Sequence, residues 1–401
     1  MDRELGRRSV VLWGGIGVHK LGVLVFSFAL GRLGGAAAVG VMASVLAVSW
    51  VVGTLAGMGL PDRVTFAAAA RTGQGSGLSP DEGSRHGVYL VAIAAMHVLL
   101  FLLAFRVAGT ADPQLGRLAQ GLVIGAGLQA SAAYPFCARR GQGRPQVEAG
   151  ALVLAGLALA GGFGVGTLAG LGAVWASAAA IQAVAGWAVS WTTPGLWMRW
   201  PGAIGPAFRA GLPWLGFGVG AWLVGNIDVL LARSIGAPEA VGWLQVGTMG
   251  VRAGGVAPWV VATLSLHQLE ARAQRGLGLP WPRIALWAVG LSTVIAGAAW
   301  VLMPWLAAGH GLAVETVRVP TLAAVACTPA LVTALLLLPI AAARNLPRTL
   351  VVILIGLGVG VGIAMVRPLQ LGISDCIVAA GASQWVVTLG LLGVLGAARA
   401  R

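Results

Sequence analysis

The stretch "GNIDVLLARSIGAPEAVG", Gly225 to Gly242, is apolar enough to lie in a membrane, although the carboxylate of Asp228 lies within its apolar run and Arg233 closes that run. Apolar runs of about 20 residues, long enough to cross a hydrocarbon core of about 30 Å, recur along all 401 residues. The chain is 58% hydrophobic and 9% charged, whereas a soluble domain is about a quarter charged. These features indicate an integral membrane protein.

The apolar runs predict twelve transmembrane helices and an all-α fold. Backbone groups in lipid must be satisfied within each segment, and the short strands of alternating polarity typical of an outer-membrane barrel are absent. The predicted spans are Val10–Leu30, Ala36–Leu60, Gly87–Ala108, Leu115–Phe136, Val147–Ala169, Leu171–Trp191, Ala210–Ala232, Ala240–Leu266, Ile284–Trp305, Pro320–Ala342, Thr349–Val366 and Ser374–Leu395.

The distribution of basic residues predicts the orientation, because cytoplasmic loops near helix ends collect Lys and Arg. With the N-terminus inside, 18 of the 26 basic residues fall on the inner side and six on the outer side, while Lys20 and Arg252 lie within helices. Both termini are therefore predicted to be cytoplasmic. The net charge of +14 is explained by this asymmetry and by attraction to anionic membrane lipids, so we expect no nucleic-acid partner.

Two pairs of short segments indicate an internal duplication. "GRLGGAAAVG" (Gly31–Gly40) matches "ARSIGAPEAVG" (Ala232–Gly242) at an offset of 202, and "ARRGQGRP" (Ala138–Pro145) matches "ARNLPR" (Ala343–Arg348) at an offset of 204. Six helices return the chain to its starting side. The sequence therefore predicts two six-helix lobes of the same topology, residues 1–200 and 201–401, with a shared site near the membrane midplane.

Enzyme chemistry and bound metals are not indicated. Cys137, Cys327 and Cys376 are far apart and lack metal-ligand spacing, so we expect no metal, no cofactor and no catalytic residue. Polysaccharide polymerases and ligases are the membrane-enzyme alternative, but they typically have a long outer loop, and every outer loop here is short. The inner loop from Arg71 to Gly87 is rich in Gly and Ser and predicts a flexible linker.

Two junctions resemble a known family. "GNIDVLLARSIGAPEAVGWLQVG" resembles the seventh helix, outer turn and eighth helix of polysaccharide and O-antigen exporters of the multidrug/oligosaccharidyl-lipid/polysaccharide exporter (MOP) superfamily, and "FALGRLGGAAAVGVMASV" is similar to their first and second helices. The resemblance implies a monomeric transporter in the bacterial cytoplasmic (inner) membrane. Its implied cargo is an undecaprenyl-pyrophosphate-linked oligosaccharide, flipped to the outer leaflet by alternating access for cell-surface polysaccharide, including lipopolysaccharide.

Ionisable residues deep in helices indicate where such a cargo would bind, because they are costly in lipid and usually face a cavity. Lys20 and Arg252, one in each predicted lobe, could bind the pyrophosphate, the guanidinium by paired hydrogen bonds and the ammonium as a point charge. Asn226 and Gln245 are the predicted glycan contacts. Gln129, Trp222 and Trp50 are further candidates, although packing or interfacial anchoring also explains the tryptophans.

Asp228 leaves three alternatives open: it faces outer water, it pairs with an arginine such as Arg252 and neutralises a buried charge, or it couples transport to a proton or sodium ion. The rival function is an ion-coupled multidrug or small-molecule antiporter of the same superfamily. Such an antiporter is expected to have an acid-rich cavity, whereas two basic residues stand here against the single deep carboxylate of Asp228.

Overall fold

The computed structural model describes residues 3–73, 78–79, 81–108, 112–196, 204–235, 238–275, 278–366 and 373–397. The regular structure within these residues is helical, which confirms the all-α prediction. The helices are α1 (Arg3–Ala56), α2 (Leu60–Gly73), α3 (Glu82–Ala108), α4 (Pro113–Gly141), α5 (Gln146–Gly161) with a 3-10 turn (Gly162–Gly164), α6 (Leu168–Thr192), α7 (Ile204–Ile235), α8 (Pro238–Gln274), α9 (Trp281–Gly309), α10 (Val314–Val366) and α11 (Ile373–Ala397).

Two of the helices contain a pair of predicted spans each. The described residues hold ten helices long and apolar enough to cross a membrane, but α1 has 54 residues and α10 has 53, about 80 Å each at 1.5 Å per residue. Non-helical backbone at Gly35 divides α1, and non-helical backbone at Asn345 divides α10. Both breaks fall between predicted spans, so the described residues supply the twelve apolar segments expected, and the chain is a multi-pass membrane protein.

The predicted linker from Arg71 to Gly87 is wrong at both ends. α2 runs to Gly73, and α3 begins at Glu82, five residues before the predicted start at Gly87; residues 74–77 and 80 lie outside the described part of the chain. Gly and Ser suggested a loop, but Glu82 is buried and bound by arginines. These long-range contacts extend the helix where local composition does not favour it.

The chain forms two compact units. Unit 1 comprises Met1–Leu33, Val48–Gly218 and Leu264–Ala271, and unit 2 comprises Gly34–Ala47, Val219–Thr263 and Arg272–Arg401. Unit 1 takes two segments from the second predicted half, residues 201–218 and 264–271, and unit 2 takes Gly34–Ala47 from the first, because the unit boundaries fall within helices α1, α7 and α8. The predicted lobes, 1–200 and 201–401, stay a prediction.

Unit 1 is packed through small residues. Gly22 of α1 lies against the backbone of Gly156 in α5, and Gly121 of α4 lies against Gly172 in α6. At both places even a methyl group would overlap the facing backbone. Close backbone approach through small residues is the usual means of helix association in lipid, where there is no hydrophobic drive between helices.

Unit 2 contains a symmetric contact between the two matched junctions of the sequence repeat. Gly40 lies against the backbone of Pro238, and Gly242 lies against the backbone of Ala36. Ala36 and Pro238 are 202 residues apart, as are Gly40 and Gly242, so each repeat presents the same two positions to the other. Such reciprocal contacts are typical of a two-fold relation and agree with the predicted same-topology repeat.

Candidate functional site

α7 and α8 bring three of the predicted site residues together in unit 2. Asp228 lies on the buried face of α7, where it is 6% exposed, beside Val229 of the unit 2 core. Arg252 lies on α8 next to Val251, which belongs to the same core. Their neighbours Val229 and Val251 belong to this core, so two charged side chains are held beside the apolar core of unit 2.

Each nitrogen of the Arg252 guanidinium has its own acceptor. Nη2 donates to Asp228 Oδ1 at 2.5 Å, Nη1 donates to Asn226 Oδ1 at 2.8 Å, and Nε donates to Thr248 Oγ1 at 2.8 Å. The planar, five-donor guanidinium suits such an array, which a lysine could not satisfy in the same way. Arg252 is thereby fixed in one orientation.

In the Asp228–Arg252 pair, Asp228 is buried and Arg252 is half-buried. The side chains are 9% and 16% exposed. Burying two charges is unfavourable unless their geometry and additional hydrogen bonds compensate, and Asn226 and Thr248 supply those bonds. Asn226 is itself oriented, because its Nδ2 donates to the Trp222 carbonyl at 3.1 Å and leaves Oδ1 to accept from Arg252.

Two polar residues of this site were missed by the sequence analysis. Thr248 lies one helical turn before Arg252 and accepts from it. Gln384 of α11 donates from Nε2 to the Val224 carbonyl, one turn before Asp228, at 2.9 Å. Its Oε1 is buried and has no hydrogen-bond partner among the described residues. The sequence feature that could have identified Gln384 is its polar amide side chain within an apolar predicted span.

The remaining predicted residues lie apart from the pair or on its margin. Gln245 is half-buried on the α8 face that carries Thr248 and Arg252. Lys20 is half-buried in α1 and belongs to unit 1. Gln129 is half-buried in α4, Trp222 packs against the unit 2 core, and Trp50 is 51% exposed.

Unit 1 has a second buried ionic cluster that the sequence analysis missed. The Glu82 carboxylate accepts from Arg63 at 3.0 Å, from Arg85 at 2.6 Å and from the Tyr134 hydroxyl at 2.5 Å. Glu82 is 1% exposed, and the cluster joins α2, α3 and α4. Arg85 also pairs with Asp81 at 3.7 Å. Because the cluster ties three helices together, we interpret it as structural.

The unit 2 pair, by contrast, has groups that can exchange partners. A carboxylate can take a proton or a cation in place of the guanidinium, and a guanidinium can take a phosphate or carboxylate of a cargo in place of Asp228. The arrangement brings an acidic and a basic group into direct contact, and it contains no nucleophile poised beside a base among the residues that the structure describes.

The comparisons with known proteins identify the fold. No protein-family model matches the chain, and no curated protein matches it in sequence. A mutant form of the Vibrio cholerae MATE transporter VcmN is 15% identical with a TM-score of 0.68, covering 100% of this chain and 97% of that one.

Two further solved structures agree. An outward-facing multidrug resistance MATE family transporter of the MOP superfamily is 17% identical with a TM-score of 0.62, covering 99% and 96% of the two chains. A MOP superfamily transporter from Pyrococcus furiosus, described as having a binding pocket of reverse polarity that suggests a different function, has 17% identity, a TM-score of 0.61 and the same coverage. The chain therefore has the fold of MATE transporters of the MOP superfamily.

Proposed function

We propose that this protein is an ion-coupled antiporter that exports small organic cations across a bacterial cytoplasmic membrane by alternating access. The observation that carries the proposal is the buried carboxylate of Asp228, paired with a single arginine, Arg252. Intramembrane carboxylates are costly and usually functional. The fold is shared with a multidrug resistance transporter, which supports the same class of cargo.

The coupling follows from competition for one carboxylate. A proton, or a sodium ion, and a cationic cargo bind Asp228 at each other's expense, so that taking one releases the other. Arg252 occupies the carboxylate when neither is bound, and this compensates the charge of the empty carrier. Antiport requires that the ion and the cargo exclude each other, because a carrier that bound them together would carry the ion and the cargo in the same direction.

A second candidate is the translocation of an undecaprenyl-pyrophosphate-linked oligosaccharide. The observation that favours it is the triple donor array of Arg252, which would bind a pyrophosphate once Asp228 releases it. The neighbour described as having a pocket of reverse polarity is a precedent for altered pocket charge on this fold. In this second candidate function, Arg252 binds the cargo, and Asp228 competes with the cargo for Arg252.

The two candidates predict opposite effects of two substitutions in proteoliposomes. For the antiporter, Asp228→Asn abolishes export of ethidium driven by a proton gradient, whereas Arg252→Gln retains it because the carboxylate remains. For the flippase, Arg252→Gln abolishes translocation of the lipid-linked oligosaccharide and Asp228→Asn impairs it less. The matched controls are the exposed residues Glu239 and Arg318, changed to Gln. Wild-type ethidium export by Asp228→Asn overturns the antiporter proposal.

A further inference from the structure

The break between α1 and α2 lies directly against α7 within unit 1. Met58 and Gly59 have positive φ angles of 52° and 65°, which end α1 and turn the chain into α2. A methyl group on Gly59 would overlap the backbone of Trp214 and Leu215, and one on Gly211 would overlap the Met58 carbonyl. The two backbones are therefore in contact at this point.

Asp62, in the first turn of α2, carries a carboxyl group into the same contact. Its Oδ2 lies against Gly218 of α7, where a methyl group would overlap it. One turn further along α2, Phe66 stacks on Trp214 with centroids 4.4 Å apart and meets Phe217 edge-on at 5.8 Å. The carboxyl group thus sits in a largely apolar helix contact.

The charge of Asp62 is poorly compensated there. No hydrogen bond or ion pair to its carboxyl group occurs among the described residues of the chain. On α4, Arg140 attracts the carboxylate, but its guanidinium is bound by Glu148. Tyr89 of α3 and Cys137 of α4 also interact electrostatically with Asp62 and carry no charge at neutral pH.

The cation next to Asp62 in the chain, Arg63, does not compensate the Asp62 charge either. Arg63 follows Asp62 in the chain and is bound by Glu82, and α7 presents only Gly218, with no side chain, to the carboxyl group. Burial raises the pKa of Asp62 to about 7, against the opposing effect of Arg140. Asp62 is half-buried, and partial removal of a carboxylate from water favours its neutral form.

We propose that Asp62 is a proton-binding site that holds the break between α1 and α2 against the N-terminal half of α7. Protonation removes the charge and lets the carboxyl group pack on Gly218. Ionisation draws it toward water or Arg140 and loosens the contact. The site is separate from Asp228 and does not depend on what the protein transports, although the same helix, α7, carries both Gly218 and Asp228.

The direct test is an infrared titration of the purified full-length protein. The protonated-carboxyl band of wild type should be lost with a midpoint near pH 7, and Asp62→Asn should lack this component, whereas the exposed-acid control Asp81→Asn should keep it. A wild-type protein without such a band, or a band that persists in Asp62→Asn, overturns the proposal. Replacing choline by sodium should leave the midpoint unchanged; a sodium-dependent fall would instead assign a cation site and overturn the proton assignment.

Two further variants keep the proposal testable if Asp62→Asn folds poorly. Gly218→Ala, whose methyl group displaces the carboxyl group, should move the midpoint down toward the ordinary value of 3.8, whereas Gly205→Ala, in open space on the same helix, should not. An unchanged midpoint in Gly218→Ala contradicts the proposed packing.

Discussion

Arg252 shows how a charged residue becomes tolerable in an apolar unit. Its three acceptors come from two helices, with Thr248 on its own helix and Asn226 and Asp228 on α7. A lone guanidinium in the same place would carry a large desolvation penalty. Asp228 and Arg252 therefore compensate each other's charge, and either residue alone would destabilise the folded protein.

A double-mutant cycle tests this interdependence. Asp228→Asn and Arg252→Gln should each lower the free energy of unfolding by about 3 kcal/mol, because each leaves a buried charge unpaired. The double variant should lose clearly less than the sum, since neither charge remains. Denaturant unfolding in detergent provides the measurement. Additive losses would contradict a direct interaction between the two side chains.

A second residue-scale prediction concerns Asp62 and pH. Because its folded-state pKa is about 7 and its ordinary value is 3.8, the folded protein binds more protons than the unfolded chain between these values. Stability from this group is complete below about pH 4 and falls as pH rises to about 7. Asp62→Asn, which mimics the neutral form, should therefore melt higher than wild type above pH 7 and at a similar temperature in acid. A difference in melting temperature between Asp62→Asn and wild type that grows as the pH falls would contradict this prediction.

What the sequence could reveal about the site depended on residue type. Asp228 and Arg252 were identifiable because charges are rare in apolar spans, and Asn226 lies two residues from Asp228. Thr248 and Gln384 could not be identified from the sequence, since uncharged polar residues are common in such helices. The partners of Glu82 come from α2, α3 and α4, and pairings so distant in sequence leave no local pattern.

At the scale of helices, local sequence predicted the spans better than their ends. Hydropathy located all twelve crossings, because each must be apolar for about 20 residues. It did not predict α2 as a separate helix beyond Leu60 or the start of α3 at Glu82. Those ends depend on Met58 and Gly59 adopting positive φ and on buried ion pairs, which are tertiary effects.

The symmetric glycine contact gives a prediction for the helices that meet there. Gly242→Ala should destabilise the protein by about 1–3 kcal/mol, because its methyl group would overlap the Ala36 backbone. Gly297→Ala in α9 is the matched control: its methyl group meets no atom within 4 Å, and alanine favours the helix by about 1 kcal/mol. Thermal unfolding should move in opposite directions for the two variants. A Gly242→Ala protein as stable as its control would contradict the close packing.

For the molecule as a whole, the charge asymmetry predicts which side of each unit faces the cytoplasm. In a variant without native cysteines, Asp81→Cys should react with an impermeant maleimide only after the membrane is opened, and Ala313→Cys should react in intact cells. Both positions are exposed, so access is not limited by burial. The reverse labelling pattern would invert the orientation and the predicted cytoplasmic termini.

The account of transport rests on competition between a proton and a cationic cargo for Asp228. The most direct measurement is the affinity of the purified protein in detergent for ethidium, titrated as a function of pH. Wild type should bind ethidium more weakly as the pH falls, because a proton and the cation compete for one carboxylate, whereas binding to Asp228→Asn should be weaker and should not change with pH. An ethidium affinity of wild type that is independent of pH, or an equal pH dependence in Asp228→Asn, would contradict the central claim.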